Sequence, residues 1–171
     1  MVDTSKWVQR DKYRKFANNW KLIGVSSKID FKEQRLLEEI MHKLLPLIRD
    51  SFGEGGLDVI KKAFFLVGVE KGQEILGLLD DTKDVSSCIM PLETVCMLMG
   101  IESILVKEDG NITLHVFGCP FKTTMQDSIP KNILCECYSK GLVYAANPDI
   151  LLKQPCKSCM GDDHCEFVIE S

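Results

Sequence analysis

The sequence predicts an α+β fold, a helical N-terminal half packed on a small antiparallel sheet of about four strands. Three observations predict it. Up to about residue 100 the apolar residues recur mainly at helical spacing. The stretch SILVKEDGNITLHVFG then alternates on both sides of Asp109-Gly110, and after one more helical stretch the short runs DILLKQ and CEFVIE close the sequence. With 171 residues, 45% of them hydrophobic, there is enough chain for one core, so residues 1–171 read as a single domain. Residues 1–100 form its helical part, and 101–171 a hairpin, helix and hairpin carrying a cysteine cluster.

Tyr13, Phe16, Ala17 and Trp20 mark a short first helix, with Gly24 as its stop. In DFKEQRLLEEIMHKLLPLIRD, Leu36, Leu37, Ile40, Met41, Leu44, Leu45 and Ile48 share a stripe, Asp30 and Glu33 hold capping-box positions, and Pro46 predicts a bend. SFGEGG reads as a break. Helical spacing resumes through Ile60, Ala63, Phe64 and Val67, where Gly68 and Gly72 predict a kink or a split. Cys88, Leu92, Val95, Cys96 and Met99 mark a helix closed by Gly100, and Cys88 and Cys96 are expected to pack as small hydrophobes. On the second strand of the hairpin, Ile112, Leu114 and Val116 share one face and Thr113, His115 and Phe117 the other. The last helix is expected from Lys131 to Ala146, stopped by Asn147-Pro148.

A formal charge of −4 and a pI near 5.4 lack the basic excess that phosphate-backbone binding needs, so no nucleic-acid partner is expected. The opening MVDTSKWVQRDKYRKF is charged where a signal peptide would be apolar, and no apolar run reaches the ~18–20 residues of a membrane span. The expectation is a soluble, cytoplasmic protein without a membrane partner.

Eight cysteines in such a chain read as reduced thiols or metal ligands rather than disulfides. The sequence PCKSCMGDDHCEFVIE places Cys156, Cys159 and Cys165 within ten residues. A two-residue gap lets both sulfurs of Cys156 and Cys159 converge on one ion at ~2.3 Å, and Cys165 can turn back toward it. Thiolates favour zinc. The fourth ligand is to be drawn from Cys137, Cys135, Cys119, His115 or His164. Cys135 and Cys137 diverge by about 200° around their helix, and the apolar face favours Cys137, with Cys135 and Cys119 as alternatives. His164 is an awkward companion for its neighbour Cys165, and His42 reads as solvated.

The last two fifths of the chain resembles two families that look alike in this region. GDDHCEFVI, with a cysteine a few residues upstream, resembles the 4-vinyl reductase domain. GCPF at Gly118–Phe121, LCEC at Leu134–Cys137 and GDDHCEF at Gly161–Phe167 resemble the L-2-amino-thiazoline-4-carboxylic acid hydrolase family. The first resemblance implies an α+β fold related to that of trafficking-complex subunits, with an apolar pocket for a small hydrophobic molecule. In sensor members it also implies zinc held by cysteines and an acidic residue. That acidic-x-x-cysteine pair matches Cys156 and Cys159, the last ligand matches Cys165, and the first falls at Cys135 or Cys137. The gap between Cys159 and Gly161 is shorter than in those sensors. The second resemblance implies hydrolytic opening of a thiazoline C–N bond, yet the aspartate expected after the helix cysteine is replaced by Tyr138 or Ser139.

The leading expectation is therefore a ligand-binding, sensor-type domain with a structural zinc at Cys137, Cys156, Cys159 and Cys165. Its pocket is expected to be lined by Phe64, Val67, Leu92, Val95, Met99, Phe117 and Leu142, and the adaptable thioethers of Met90, Met97, Met99 and Met125 suit such a site. The alternative, a hydrolase of a small sulfur heterocycle, requires an exposed thiol of lowered pKa among Cys119, Cys135 and Cys137. The long apolar helix stripe suits a homodimer under either reading.

Overall fold

The computed structural model describes residues 29–78, 85–108, 111–119 and 131–169. The chain divides into two compact units, Met1–Ile40 and Met41–Ser171. The first helix expected around Tyr13–Trp20 lies outside the described residues, as do the side chains of Asp30, Glu33, Leu36, Leu37 and His42.

Helix α1 runs Ile29–Gly77, and within it only Gly53 leaves helical geometry (φ 56°, ψ −135°). The expected break thus shrinks to one residue, in a conformation that glycine adopts without steric cost. Before the break, Met41, Leu45 and Ile48 turn inward; after it, Leu57, Ile60 and Phe64 continue the same apolar cluster around Leu134.

Gly68 and Gly72 do not kink or split the helix; they serve close approach. A Cβ at Gly72 would stand 2.6 Å from the Ala145 Cβ and 2.8 Å from the Leu142 carbonyl oxygen. One at Gly68 would run into the Tyr138 carbonyl, and one at Gly141 into that of Phe65. Glycines on both sides let this part of α1 lie backbone to backbone against α3, Lys131–Ala146.

A 3₁₀ turn at Val85–Cys88 leads into α2, Met90–Leu98. Gly100 (φ 71°) ends it in a Schellman cap: the Gly100 N–H donates to the Met97 carbonyl at 3.1 Å and the Ile101 N–H to that of Cys96 at 2.8 Å. Cys88 and Cys96 are buried, as their apolar positions predict.

The sheet comprises β1 (Glu102–Glu108), β2 (Asn111–Phe117), β3 (Leu152–Cys156) and β4 (Cys165–Ile169), all antiparallel in the order β1-β2-β4-β3. Ile112, Leu114 and Val116 meet Ile169, Phe167 and Cys165 across β2 and β4, and these six are buried with Leu152, Leu92, Cys96, Leu142 and Val143 in the main core. This is the inner face, on which α2 and α3 pack. Alternation sends Thr113, His115, Phe117, Glu166 and Val168 to the outer face.

The third strand departs from its expected place at Asp149–Gln154. Asn147 Oδ1 accepts the Asp149 N–H at 2.9 Å, and the Ile150 N–H donates to the Asn147 carbonyl at 3.3 Å. This Asx turn occupies the residues after α3 and delays extension until Leu152. Cys156 consequently belongs to the strand rather than the loop. Pro155 is tolerated because β3 is an edge strand, and the ladder is irregular between Lys153 and Cys156.

Candidate metal and ligand site

Between β3 and β4 the chain folds back sharply. Lys157 donates its N–H to Asp162 Oδ2 at 2.6 Å, the Met160 N–H donates to the Lys157 carbonyl at 2.8 Å, and Gly161 takes the positive φ (111°) that reverses the chain. The Ser158 N–H donates to Cys165 Sγ at 3.3 Å, which ties the turn to the first residue of β4. Lys157 Nζ reaches Glu136 Oε2 on α3 at 2.9 Å, and Lys140 Nζ reaches Glu136 Oε1 at 2.7 Å. The hydrogen bonds from Lys140 and then Lys157 hold the Glu136 carboxyl below its ordinary value.

These contacts sort the cysteines into separate environments. Cys165 is buried on the inner face, and Cys135 packs against the same core. Cys135 lies within electrostatic reach of Cys165, Cys119 and Cys159, Cys165 within reach of Cys119 and Cys159, and Cys156 within reach of Cys165. Cys159 is exposed on the turn. Cys156 belongs to the outer face: it is paired in register with Glu166 and donates its thiol proton to Glu166 Oε2 at 3.3 Å. Cys137 has Glu136, Lys140 and the α1 residue Lys61 as its charged neighbours. None of the eight cysteines forms a disulfide.

The metal implied by the resemblance can be tested against these donors. Cys137 has none of Cys156, Cys159 and Cys165 among its electrostatic neighbours, and the Cys156 thiol is engaged by Glu166. Among the described residues, no three His, Cys, Asp or Glu side chains stand together as a metal-holding group. The set read from the sequence does not fit an ion as the side chains are placed.

The expected pocket residues also separate. Leu92 and Leu142 are buried in the main core with Val95 beside them, while Phe64 belongs to the second cluster. Val67, Met99 and Phe117 are 53%, 54% and 44% exposed, and Phe117 lies on the opposite sheet face from Leu142. Met125 is outside the described residues. Of the three thiols that the hydrolase alternative offered, Cys135 is pushed up to about 12 by burial and Cys137 is raised by burial as well, so neither is the thiol of lowered pKa it requires.

Two features escaped the sequence reading. On the outer face, His115 Nδ1 lies 3.0 Å from His164 Nε2, and Phe117 stacks on His164 with ring centroids 5.3 Å apart. The period-two alternation that sets His115 and Phe117 outward was the available signal. The other is Glu93, a carboxylate in the apolar run MPLETVCML. Its Oε2 is buried without a hydrogen-bond partner, as is Thr94 Oγ1 beside it. Burial pushes the Glu93 carboxyl up to about 7.

No family model and no curated protein matches the chain. Solved structures do. Trafficking protein particle complex subunit 3 from Naegleria fowleri, covalently bound to palmitic acid, aligns with a TM-score of 0.45 at 14% identity, over 77% of this chain and 95% of that one. An H-NOX protein from S. oneidensis in the Fe(II)NO ligation state aligns with a TM-score of 0.46 at 19% identity, over 74% and 73%. The SO2144 H-NOX domain from Shewanella oneidensis in the Fe(II)CO state gives 0.40 at 20%, over 70% and 76%. The fold of this chain is α+β, three helices and a four-stranded antiparallel sheet among the described residues. No described helix is long and apolar enough to cross a membrane.

Proposed function

We propose that this protein is a sensor-type domain of the 4-vinyl reductase kind that binds a small, mostly apolar molecule and carries a cysteine-held zinc as a structural staple. The observation that carries the ligand-binding part is the pair of unpartnered polar atoms on α2, Glu93 Oε2 and Thr94 Oγ1, beside the core residues Leu92 and Cys96. Buried polar groups are satisfied in the great majority of cases, and leaving one unmade costs about 1–3 kcal/mol. A carboxyl titrating near 7 can donate or accept, so it suits the polar end of an otherwise hydrophobic ligand. The zinc part is supported by the sequence resemblance at Cys156, Cys159 and Cys165.

Self-association belongs to the same reading, because Leu47, Phe52, Val59, Leu66 and Val67 of α1 are exposed. Native mass spectrometry of the protein as purified tests the whole proposal. It predicts a dimer whose protomers each carry one zinc and, in part of the sample, a small organic adduct that Glu93→Ala removes. A metal-free, adduct-free monomer would contradict it.

A further inference from the structure

We infer that the small molecule received beside α2 is a primary amine on an apolar body, held as an ammonium by the Glu93 carboxylate together with the Thr94 hydroxyl. The inference rests on the ligand-binding reading above and names the chemical class of its ligand.

The core beside α2 is short of donors. Among the described residues, the buried side-chain atoms without a hydrogen-bond partner are Glu93 Oε2, Thr94 Oγ1 and Gln154 Oε1, and all of them are oxygens that accept. Thr94 is 0% exposed, so solvent does not serve its hydroxyl. Gln154 spends its amide on Cys165, Cys165 lies within electrostatic reach of Cys96, and Cys96 within that of Glu93. The oxygens thus border the core cluster that holds Leu92, Cys96 and Cys165.

That neighbourhood also lacks a cation. The elements packed on α2 are the Val85–Cys88 turn, β1 and α3. Burial is the cause of the Glu93 shift, and neither Lys107 of β1 nor Lys140 of α3 offsets it. Lys140 is engaged by Glu136, and Glu102 of β1, opposite Phe117, belongs to the outer face. Cys88, Cys135 and Tyr138 complete the titratable groups turned to this core; burial raises Cys135 and Tyr138, so they bring no charge. What the site offers is one latent negative charge with acceptors around it.

A buried carboxylate is tolerated when a cation pairs with it, and charge-assisted hydrogen bonds are roughly twice as strong as neutral ones. An ammonium spreads several N–H donors around one nitrogen, which suits side chains that leave a helix about 100° apart, as those of consecutive residues do. A hydroxyl has a single donor. A carboxylic acid would set two carboxyl groups against each other without a cation between them. An amine that enters uncharged takes the Glu93 proton, leaving carboxylate and ammonium; one that enters as an ammonium displaces that proton to solvent.

The test is equilibrium dialysis of the zinc-supplemented protein against 1-naphthylmethylamine, 1-naphthylmethanol and 1-naphthoic acid, which carry different head groups on the same ring system. At pH ~8 the amine should occupy one site per chain at least ~10-fold more tightly than the alcohol, with the acid weakest. Because Glu93 is pushed up to about 7, amine affinity should fall about tenfold from pH ~8 to pH ~6 while that of the alcohol holds. Glu93→Gln keeps the side-chain shape and relieves the buried charge, so it should fold, and it should bind amine and alcohol alike. Thr94→Val should weaken the amine at least ~3-fold.

An amine bound no tighter than the alcohol, an amine preference that survives in Glu93→Gln, or undiminished amine binding in Thr94→Val would overturn the inference alone, since a saturable site would remain. Saturable binding of none of these probes would overturn the inference and the ligand-binding reading together.

Discussion

Glu93 makes folding stability depend on pH in the direction opposite to a salt-bridged carboxylate. Burial raises its pKa from 4.5 to about 7, so between those values the folded chain keeps a proton that the unfolded chain releases. Stability therefore falls as pH rises through this window and levels off above it. At 1.36 kcal/mol per pH unit the full separation corresponds to about 3 kcal/mol, and relaxation around a partly accessible carboxylate brings the expected loss to about 2–3 kcal/mol. Glu93→Gln keeps the shape and removes the charge. Urea unfolding followed by helical circular dichroism should give a variant nearly indifferent to pH, about 2–3 kcal/mol more stable than wild type near pH ~8 and equal to it near pH ~5. Glu136, whose pKa is lowered, acts only at more acidic pH and leaves the window clear. A wild type equally stable at both ends of the range, with a glutamine variant indistinguishable from it, would refute the reasoning.

Gly141→Ala drives a Cβ into the Phe65 carbonyl and should cost about 3 kcal/mol in thermal or urea unfolding, whereas Gly55→Ala, which meets nothing within 4 Å, should be neutral or stabilise by up to ~1 kcal/mol. Glu136→Gln removes the ion pairs to Lys140 and Lys157 and, as these are partly exposed, should cost no more than about 1 kcal/mol. Its larger effect should be faster proteolytic nicking between Lys157 and Asp162, read by limited digestion. Val59→Glu on the exposed side of α1 should shift sedimentation velocity from dimer toward monomer while leaving the circular dichroism spectrum unchanged.

Local signals were enough for the elements whose boundaries are set locally. The change of period at residue 101, Asp109-Gly110 between alternating runs, and Asn147-Pro148 after an apolar stripe placed β1, β2 and α3 where they are found. The misplacements arise where a tertiary or side-chain contact decides. The Asn147 side chain captures the Asp149 N–H, which moves β3 along the chain and carries Cys156 out of the loop. From there, the register irregularity between Lys153 and Cys156 pairs Cys156 with Glu166 of the outer face while Cys165 is buried on the inner, a distinction invisible in the spacing of CxxC. Gly68 and Gly72 looked like helix breakers because their reason, the backbone of α3, lies some seventy residues away in sequence. Glu93 was passed over because a single charge in an apolar helix reads as solvent-facing unless its burial is known.

The central claim is that the core beside α2 receives a small apolar molecule. A fluorescence titration of the zinc-supplemented, folded protein with 1-aminoanthracene, an uncharged aromatic bearing one polar group, tests it most directly. The account predicts saturable binding at one site per chain, weakened in Glu93→Ala. Fluorescence that rises without saturation, or saturable binding indifferent to Glu93, would contradict it.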